Sequence, residues 1–189
     1  LSFQQDGMSA KIVMTNDVDI IRILLPQPIL PGQSSEISTP FRVKIPKTFS
    51  RLGHEGNSYQ ISQWFPKPAV YDKNGWHPMP YLDQGEFYSE YGSYDVSITL
   101  PQNYVVMATG NLQTESEEQW LDEKVKQAIV DSFKTSVKGK IPSSETKKTI
   151  RYTEDNIHDF AWFADKAWMV RKDTVAVPGS DLVSTVYAA

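Results

Sequence analysis

Residues 86–113 read EFYSEYGSYDVSITLPQNYVVMATGNLQ, and this stretch decides the fold. It resolves into two strands joined around Pro101, Gln102 and Asn103, rich in the β-branched and aromatic residues that suit a pleated surface. Strand character continues on the amino-terminal side. KIVMTND (residues 11–17) and VDIIRILLP (residues 18–26) are two runs separated by an Asn-Asp pair that suits a tight turn. In ILPGQSSEISTPFRVKIP (residues 29–46), Pro31-Gly32 marks a turn. Phe41, Val43 and Ile45 then alternate with Arg42, Lys44 and Pro46, which predicts a strand with one buried face.

FSRLGHEGNS (residues 49–58) reads as a loop from its two Gly, Asn and Ser, and YQISQWF (residues 59–65) as a strand. PKPAVYDKNGWHPMPYLDQG (residues 66–85) reads as a long ordered loop. Its four Pro fix φ and remove amide donors, so no regular ladder is expected through it. Beyond residue 113 one segment breaks the pattern. SEEQWLDEKVKQAIVDSFKTS places Leu121, Val125, Ala128, Ile129 and Phe133 near helical spacing. Ser116 or Thr114 serves as N-cap, with acidic residues in the first turn, in the order the helix dipole favours. This predicts a helix over about 116–134, inserted between two strands of a hairpin. After a polar link, TIRYTE, HDFAWFA, WMVRKDTVAV and LVSTVYAA return to strand character. The fold expected is all-β: sandwich- or saddle-like sheets of antiparallel and mixed strands with one inserted helix.

Composition narrows the function. The chain has 189 residues, enough to bury a core without a metal or disulfide staple. It has no Cys, which removes disulfides, thiolate metal sites and a Cys nucleophile together. Net charge is -4 with both signs scattered and no basic stripe, so nucleic acid is not an expected partner. No apolar run approaches the roughly 18 residues that cross a bilayer. The opening residues have neither the charged nor the apolar region of a signal peptide. They begin without Met in what reads as mid-strand, so a fragment of a longer protein is expected.

Chemical motifs are sparse. His54, His77 and His158 fit no metal-ligand spacing, and HEGNS at His54 has Ser58 where H-E-x-x-H needs its second His. No phosphate-binding loop and no G-x-S-x-G elbow is present. Glu86, Glu90 and Asp95 are read as solvent-facing rather than as a catalytic carboxylate pair. The aromatic cluster Trp64, Phe65, Tyr71, Trp76, Tyr81, Phe87, Tyr88, Tyr91 and Tyr94 has two readings. Rings of this size most often pack as a small core against a sheet. On an open face they would form a ligand-facing wall.

The span YQISQWFPKPAVYDKNGWHPMPYLDQGEFYSEYGSYDVSITLPQNYVVMATG (residues 59–110) resembles the amino-terminal domain of zinc aminopeptidases of the aminopeptidase N type, the gluzincins, in a Bacteroidetes-like branch. The shared features are Gln63, the pair Phe65-Pro66, Asp72 and the strand SYDVSITLPQNYVVMATGNL. NIHDFAWFADKAWMV resembles the strand that closes that domain, and VSTVYAA the first strand after it. The resemblance runs from about Ile12 to Ala189. It departs from the family at Lys67, at Lys73 and in an added loop over residues 74–85.

That resemblance implies a β-rich amino-terminal domain over residues 1–177, missing its first strands, with residues 178–189 starting the link into an absent catalytic domain. It implies no catalytic residue and no metal ligand in this chain, because the H-E-x-x-H, the Glu ligand, the Tyr and the G-x-M-E-N motif of the family lie in the next domain. Zinc is expected there and not here. The implied role is to pack on that domain and help form the substrate cleft, recognising a peptide N-terminus. In the family a Gln or Glu from this domain binds the substrate α-amine, which carries over to Gln63 first and Gln60 second. An amide oxygen can accept from an ammonium. The family branch implies an exported or periplasmic parent, and strand edges lacking partners are open to self-association. The competing reading is an independent β-sandwich module that binds carbohydrate or protein through the aromatic loop 64–81.

Overall fold

The computed structural model describes residues 1–82, 84–85, 87–131, 141–176, 178–179 and 183–188. Its strands begin with β1 Phe3–Gln5, β2 Met8–Met14, β3 Ile21–Leu24, β4 Ile37–Ser38, β5 Leu52–Glu55, β6 Ser58–Ile61, β7 Val70–Asp72 and β8 Gly75–His77. There follow β9 Gly92–Pro101, β10 Val105–Ala108, β11 Asn111–Leu112, helix α1 Glu115–Asp131, β12 Lys147–Ile157, β13 Trp162–Asp165, β14 Arg171–Ala176 and β15 Val183–Ala188. The architecture is all-β with one helix, as the sequence predicts. Every ladder between these strands is antiparallel; the parallel contact is an isolated bridge between Lys47 and His54.

The chain divides into two compact units. The first comprises Leu1–Lys44 and Phe65–Glu90. Its sheet has the order β3-β2-β1-β4, and β7 and β8 form a separate hairpin. Asp6 and Gly7 turn β1 into β2 with φ of 49° and 79°, the pair of positive values a two-residue type I′ hairpin needs. Phe3 and Ala10 face each other in this ladder and are buried. Gln5 is buried beside them and spends its whole amide on the loop that follows β3. Nε2 donates to the Gln27 carbonyl and to Ser35 Oγ, both at 3.0 Å, and Oε1 accepts from the Gln27 N–H at 3.0 Å. Burying an amide costs little once its partners are supplied.

The second unit comprises Ile45–Trp64 and Tyr91–Ala189. One sheet runs β10-β13-β6-β5, another β11-β12-β9, and β14 pairs with β15. Val105, Leu121 and Val170 form the center of its core, with Met107, Leu112, Trp120, Val125, Trp168 and Tyr187 packed around them. α1 lies in the connection between β11 and β12, which are ladder neighbours (Leu112 opposite Tyr152), so it is an insertion in a hairpin, as expected. Of the expected 116–134 span, residues 132–134, with Phe133, lie outside the described residues. Thr114 stands at the N-cap position, where its carbonyl accepts the helix's first bonds from Glu117 N and Glu118 N, but its side chain does not cap. Its hydroxyl instead accepts from the Arg151 N–H of β12 at 2.9 Å, tying helix start to sheet. Ile129, expected on the apolar stripe, is exposed.

Three expectations are corrected. Phe41, Val43 and Ile45 alternate but form no strand; Phe41 and Val43 are exposed, because no neighbouring strand pairs with that segment to give its alternation a buried side. Residues 49–58 are not a plain loop: β5 and β6 form a hairpin through them, with Gly56 at φ 57° in the turn. The Pro-rich segment does contain a ladder. Its Pro residues stand at 66, 68, 78 and 80, leaving a Pro-free window in which β7 and β8 pair. The two strands expected on either side of Pro101 are present as β9 and β10, and they belong to different sheets. The chain turns at Pro101, where Tyr104 N donates to the Pro101 carbonyl at 3.2 Å, and enters a different sheet.

Candidate functional site

β6 ends at Ile61, which is buried, and the next three residues leave the strand sharply. Ser62 Oγ donates to the Arg51 carbonyl at 2.6 Å, and Trp64 Nε1 donates to the Phe160 carbonyl at 3.1 Å. Gln63 sits between these two tethers at φ 53°, in the left-handed region that L-residues other than Asn and Asp seldom occupy. Its side chain is half-buried, and among the described residues its amide has no hydrogen-bond partner. The backbone is held on both sides while the side chain is left unspent. The amide is open to water or to the hydrogen-bonding group of a ligand.

Gln60 is placed differently. It lies within β6 opposite Phe163 of β13 and Gly53 of β5, and its Nε2 donates to the Ser50 carbonyl. Its amide N–H thus serves the loop before β5. The structure does not bring the two Gln together as one acceptor pair: Gln60 is on the ladder and Gln63 in the turn beyond it.

In the other unit the β7–β8 hairpin presents two different faces. Val70, opposite His77, is buried. Tyr71 and Trp76 are directly opposed partners on the other face, 65% and 66% exposed, with ring centroids 4.9 Å apart and planes inclined at 52°. The packed-core reading of the cluster is therefore corrected for these rings, and for Tyr81, Tyr88 and Tyr91, which are also exposed. A two-ring hairpin too narrow to fold over itself cannot bury its outer side. The signal was legible in Asn74-Gly75, a hairpin-turn dipeptide that the surrounding Pro residues obscured. Gly75 has φ 102°, and Asp72 Oδ1 accepts from Asn74 N at 2.7 Å across the turn.

His77 Nε2 lies 2.8 Å from Asp72 Oδ1 on the half-buried side of the hairpin. The His77 contact, then the Asn74 N–H, hold the Asp72 carboxyl below its ordinary range. His77 also stands edge-on to Tyr88 at 5.5 Å. His54 lies in β5 beside Tyr59, with ring centroids 5.7 Å apart, and His158 beside Tyr91 at the same separation. Among the described residues no three His, Asp or Glu side chains converge as a metal site. Asp95, one of the three carboxylates weighed from the sequence, is bound to Arg151 through both oxygens, at 2.7 and 2.6 Å; Glu86 lies outside the described residues.

A cavity of about 220 Å³ opens beside the β5–β6 turn, lined by Glu55, Asn57, Ser58, Asp165 and Lys166 with Ile141 and Ala167. Lys166 is buried, donates to Ser143 Oγ at 3.2 Å and stands over the Tyr104 ring. Two carboxylates, Glu55 and Asp165, and one ammonium, Lys166, line the cavity. No family model, curated protein or solved structure matches the chain.

Proposed function

We propose that this chain is a non-catalytic amino-terminal segment of a zinc metallo-aminopeptidase. It packs on the catalytic domain of its parent, forms one wall of the substrate cleft and accepts the peptide's α-ammonium on Gln63. The motif resemblance over residues 59–110 motivates the reading, and the all-β architecture is compatible with it. The observation that carries it is the unspent amide of Gln63, displayed in a turn tethered by Ser62 and Trp64. A carbonyl oxygen in that position can take an N–H from an ammonium without the desolvation cost of a buried carboxylate. Gln60 has the lesser claim, because its amide N–H is already engaged.

In the parent enzyme, Gln63→Ala is expected to raise KM for aminoacyl anilides by about tenfold, the size of one hydrogen bond to a charged group. N-acetylated peptides, which lack the ammonium, should inhibit wild type and variant alike. An unchanged KM would remove Gln63 from the role. The 189-residue chain alone should hydrolyse no aminoacyl reporter and hold no stoichiometric zinc; one tight zinc per chain would overturn the reading itself.

A second reading is favoured by one observation, the exposed pair Tyr71 and Trp76. An independent module would use these rings, within the 64–81 segment, to stack on a sugar face or to anchor a protein partner. Titration with oligosaccharides, followed by tryptophan fluorescence in wild type and Trp76→Ala, distinguishes it. Saturable quenching lost in the variant supports the module, and no response to any sugar removes the carbohydrate form.

A further inference from the structure

Among the described residues, β9 is the longest strand with a partner on one side alone. It pairs along its length with β12, from Pro101 opposite Lys147 to Gly92 opposite Ile157, and stands last in the order β11-β12-β9. No described backbone group bonds to the outward edge of residues 95–100. Alternate N–H and C=O groups there point away from β12, and the complement of such a row is another extended strand.

Within β9 itself the sequence devices that blunt an edge are few. β9 has no Pro before its last residue and no Lys, and the irregularity of the ladder lies at the Gly92 end, between Glu154 and Ile157 of β12. Its one fixed charge, Asp95, is held by Arg151 in a two-pronged pair, so the edge is close to neutral. Burial alternates along it: Ile98 is buried and Val96 and Leu100 half-buried on one face, while Asp95, Ser97 and Thr99 are exposed on the other.

We propose that this edge pairs antiparallel with the β9 edge of a second copy of the chain, across a two-fold axis normal to the sheet. The inference is independent of the aminopeptidase reading. Such an axis keeps each face of the sheet on its own side, so opposed residues share parity. A register centered on Asp95 sets two carboxylates against each other and is disfavoured. A register centered on Ser97 opposes Val96 to Ile98, Asp95 to Thr99, and Tyr94 to Leu100. It continues the apolar face of one sheet into the other and keeps the two Asp95 apart. An edge of this length, with its charge neutralised and its apolar side chains all on one face, is self-complementary, and that favours a second copy over a strand of unrelated sequence.

Light scattering on the 189-residue chain over a rising concentration series is expected to show mass climbing from 21.4 kDa toward twice that value. Ser97→Lys sets like charges opposite each other at the axis and should weaken the dimer at least several-fold. Thr99→Lys sets a cation opposite the partner copy's Asp95 and should leave the dimer intact or strengthen it. A monomer at every concentration overturns the proposal, as does a dimer indifferent to Ser97→Lys. So does a monomer whose β9 amides gain exchange protection when an unrelated extended peptide is added, which would assign the edge to peptide capture.

Discussion

Lys148 on β12 donates to Glu117, in the first turn of α1, at 2.6 Å, and both side chains are nearly closed to water. The same ammonium lies 3.7 Å from the centroid of the Trp120 ring. Burial raises the Glu117 carboxyl above its usual range and lowers the Lys148 ammonium below its own; their mutual hydrogen bond opposes both shifts. Each charge is thus tolerable because the other is present. Glu117→Ala should leave the ammonium buried and unpaired and cost about 3–5 kcal/mol in urea unfolding. Replacing both residues by Met should recover most of that loss. A single variant as stable as wild type would show that the ammonium escapes to solvent.

A second ionic tie joins the helix to the β14–β15 hairpin. Asp122 Oδ1 accepts from Lys172 Nζ at 2.7 Å and from the Tyr187 hydroxyl at 2.8 Å. The Lys172 and Tyr187 bonds depress the Asp122 carboxyl, and the Asp122 bond raises the Lys172 ammonium. The depressed acid contributes stability that is complete above its unfolded value, about 4, and is lost as pH falls through the folded one. The raised base contributes fully below its unfolded value, about 10, and is lost as pH rises through the folded one. Protection of the β14 and β15 amides, corrected for the intrinsic pH dependence of exchange, should therefore be greatest between these limits and fall on either side. Asp122→Asn should flatten the acid limb; an unchanged profile would deny the tie its role.

Gly53 marks a close approach of backbones. A Cβ built there would stand 2.5 Å from Thr48 Cα, where residues 46–48 pass over β5 and Thr48 N donates to the His54 carbonyl at 3.0 Å. Backbone cannot rotate aside as a side chain can. Gly53→Ala should cost about 1–3 kcal/mol, the range for overpacking, and should raise exchange at Thr48 and His54 before it affects β9. Unaltered exchange at those two amides would mean that the strap yields without losing its bonds.

The elements legible in the sequence are those whose signals are local. α1 was legible in its apolar spacing and acidic first turn, whereas the tight turn expected at Asn16-Asp17 is a longer loop over residues 15–20, in which Ile20 N donates to the Asp17 carbonyl at 3.2 Å. What was not legible depends on partners distant in the chain. Phe41, Val43 and Ile45 carry a strand pattern without a strand, because alternation becomes structure when a neighbouring strand supplies hydrogen bonds. β9 and β10 read as consecutive strands, yet nothing local says that the corner at Pro101 sends them into different sheets. Of the candidate site, the residue type at Gln63 was visible. Its positive φ was not, since Gln carries no preference for that region.

Exposure of Trp76 separates its packing from any binding role. With two thirds of its surface in water and Tyr71 as its ring neighbour, Trp76→Ala should change stability by no more than about 0.5 kcal/mol, as for most surface positions. Acrylamide should quench the Trp76 share of wild-type fluorescence readily. A large loss of stability in the variant would mean that the hairpin depends on its outer face, and the free-surface description would fail.

The turn at Gln63 allows conformation and recognition to be measured apart. An L-residue in the left-handed region carries a penalty of roughly 1–2 kcal/mol that Gly escapes, while Gly adds about 0.5–1 kcal/mol of backbone entropy to be lost on folding. Gln63→Gly should therefore leave stability within about 1 kcal/mol of wild type. Gln63→Val, β-branched at φ 53°, should be less stable by about 1–3 kcal/mol. Both variants lack the amide, so in the parent enzyme both should raise KM for free-amine substrates to the same extent, despite their different stabilities. If KM follows stability instead, with Gly close to wild type and Val impaired, the residue shapes the turn and the ammonium is received elsewhere.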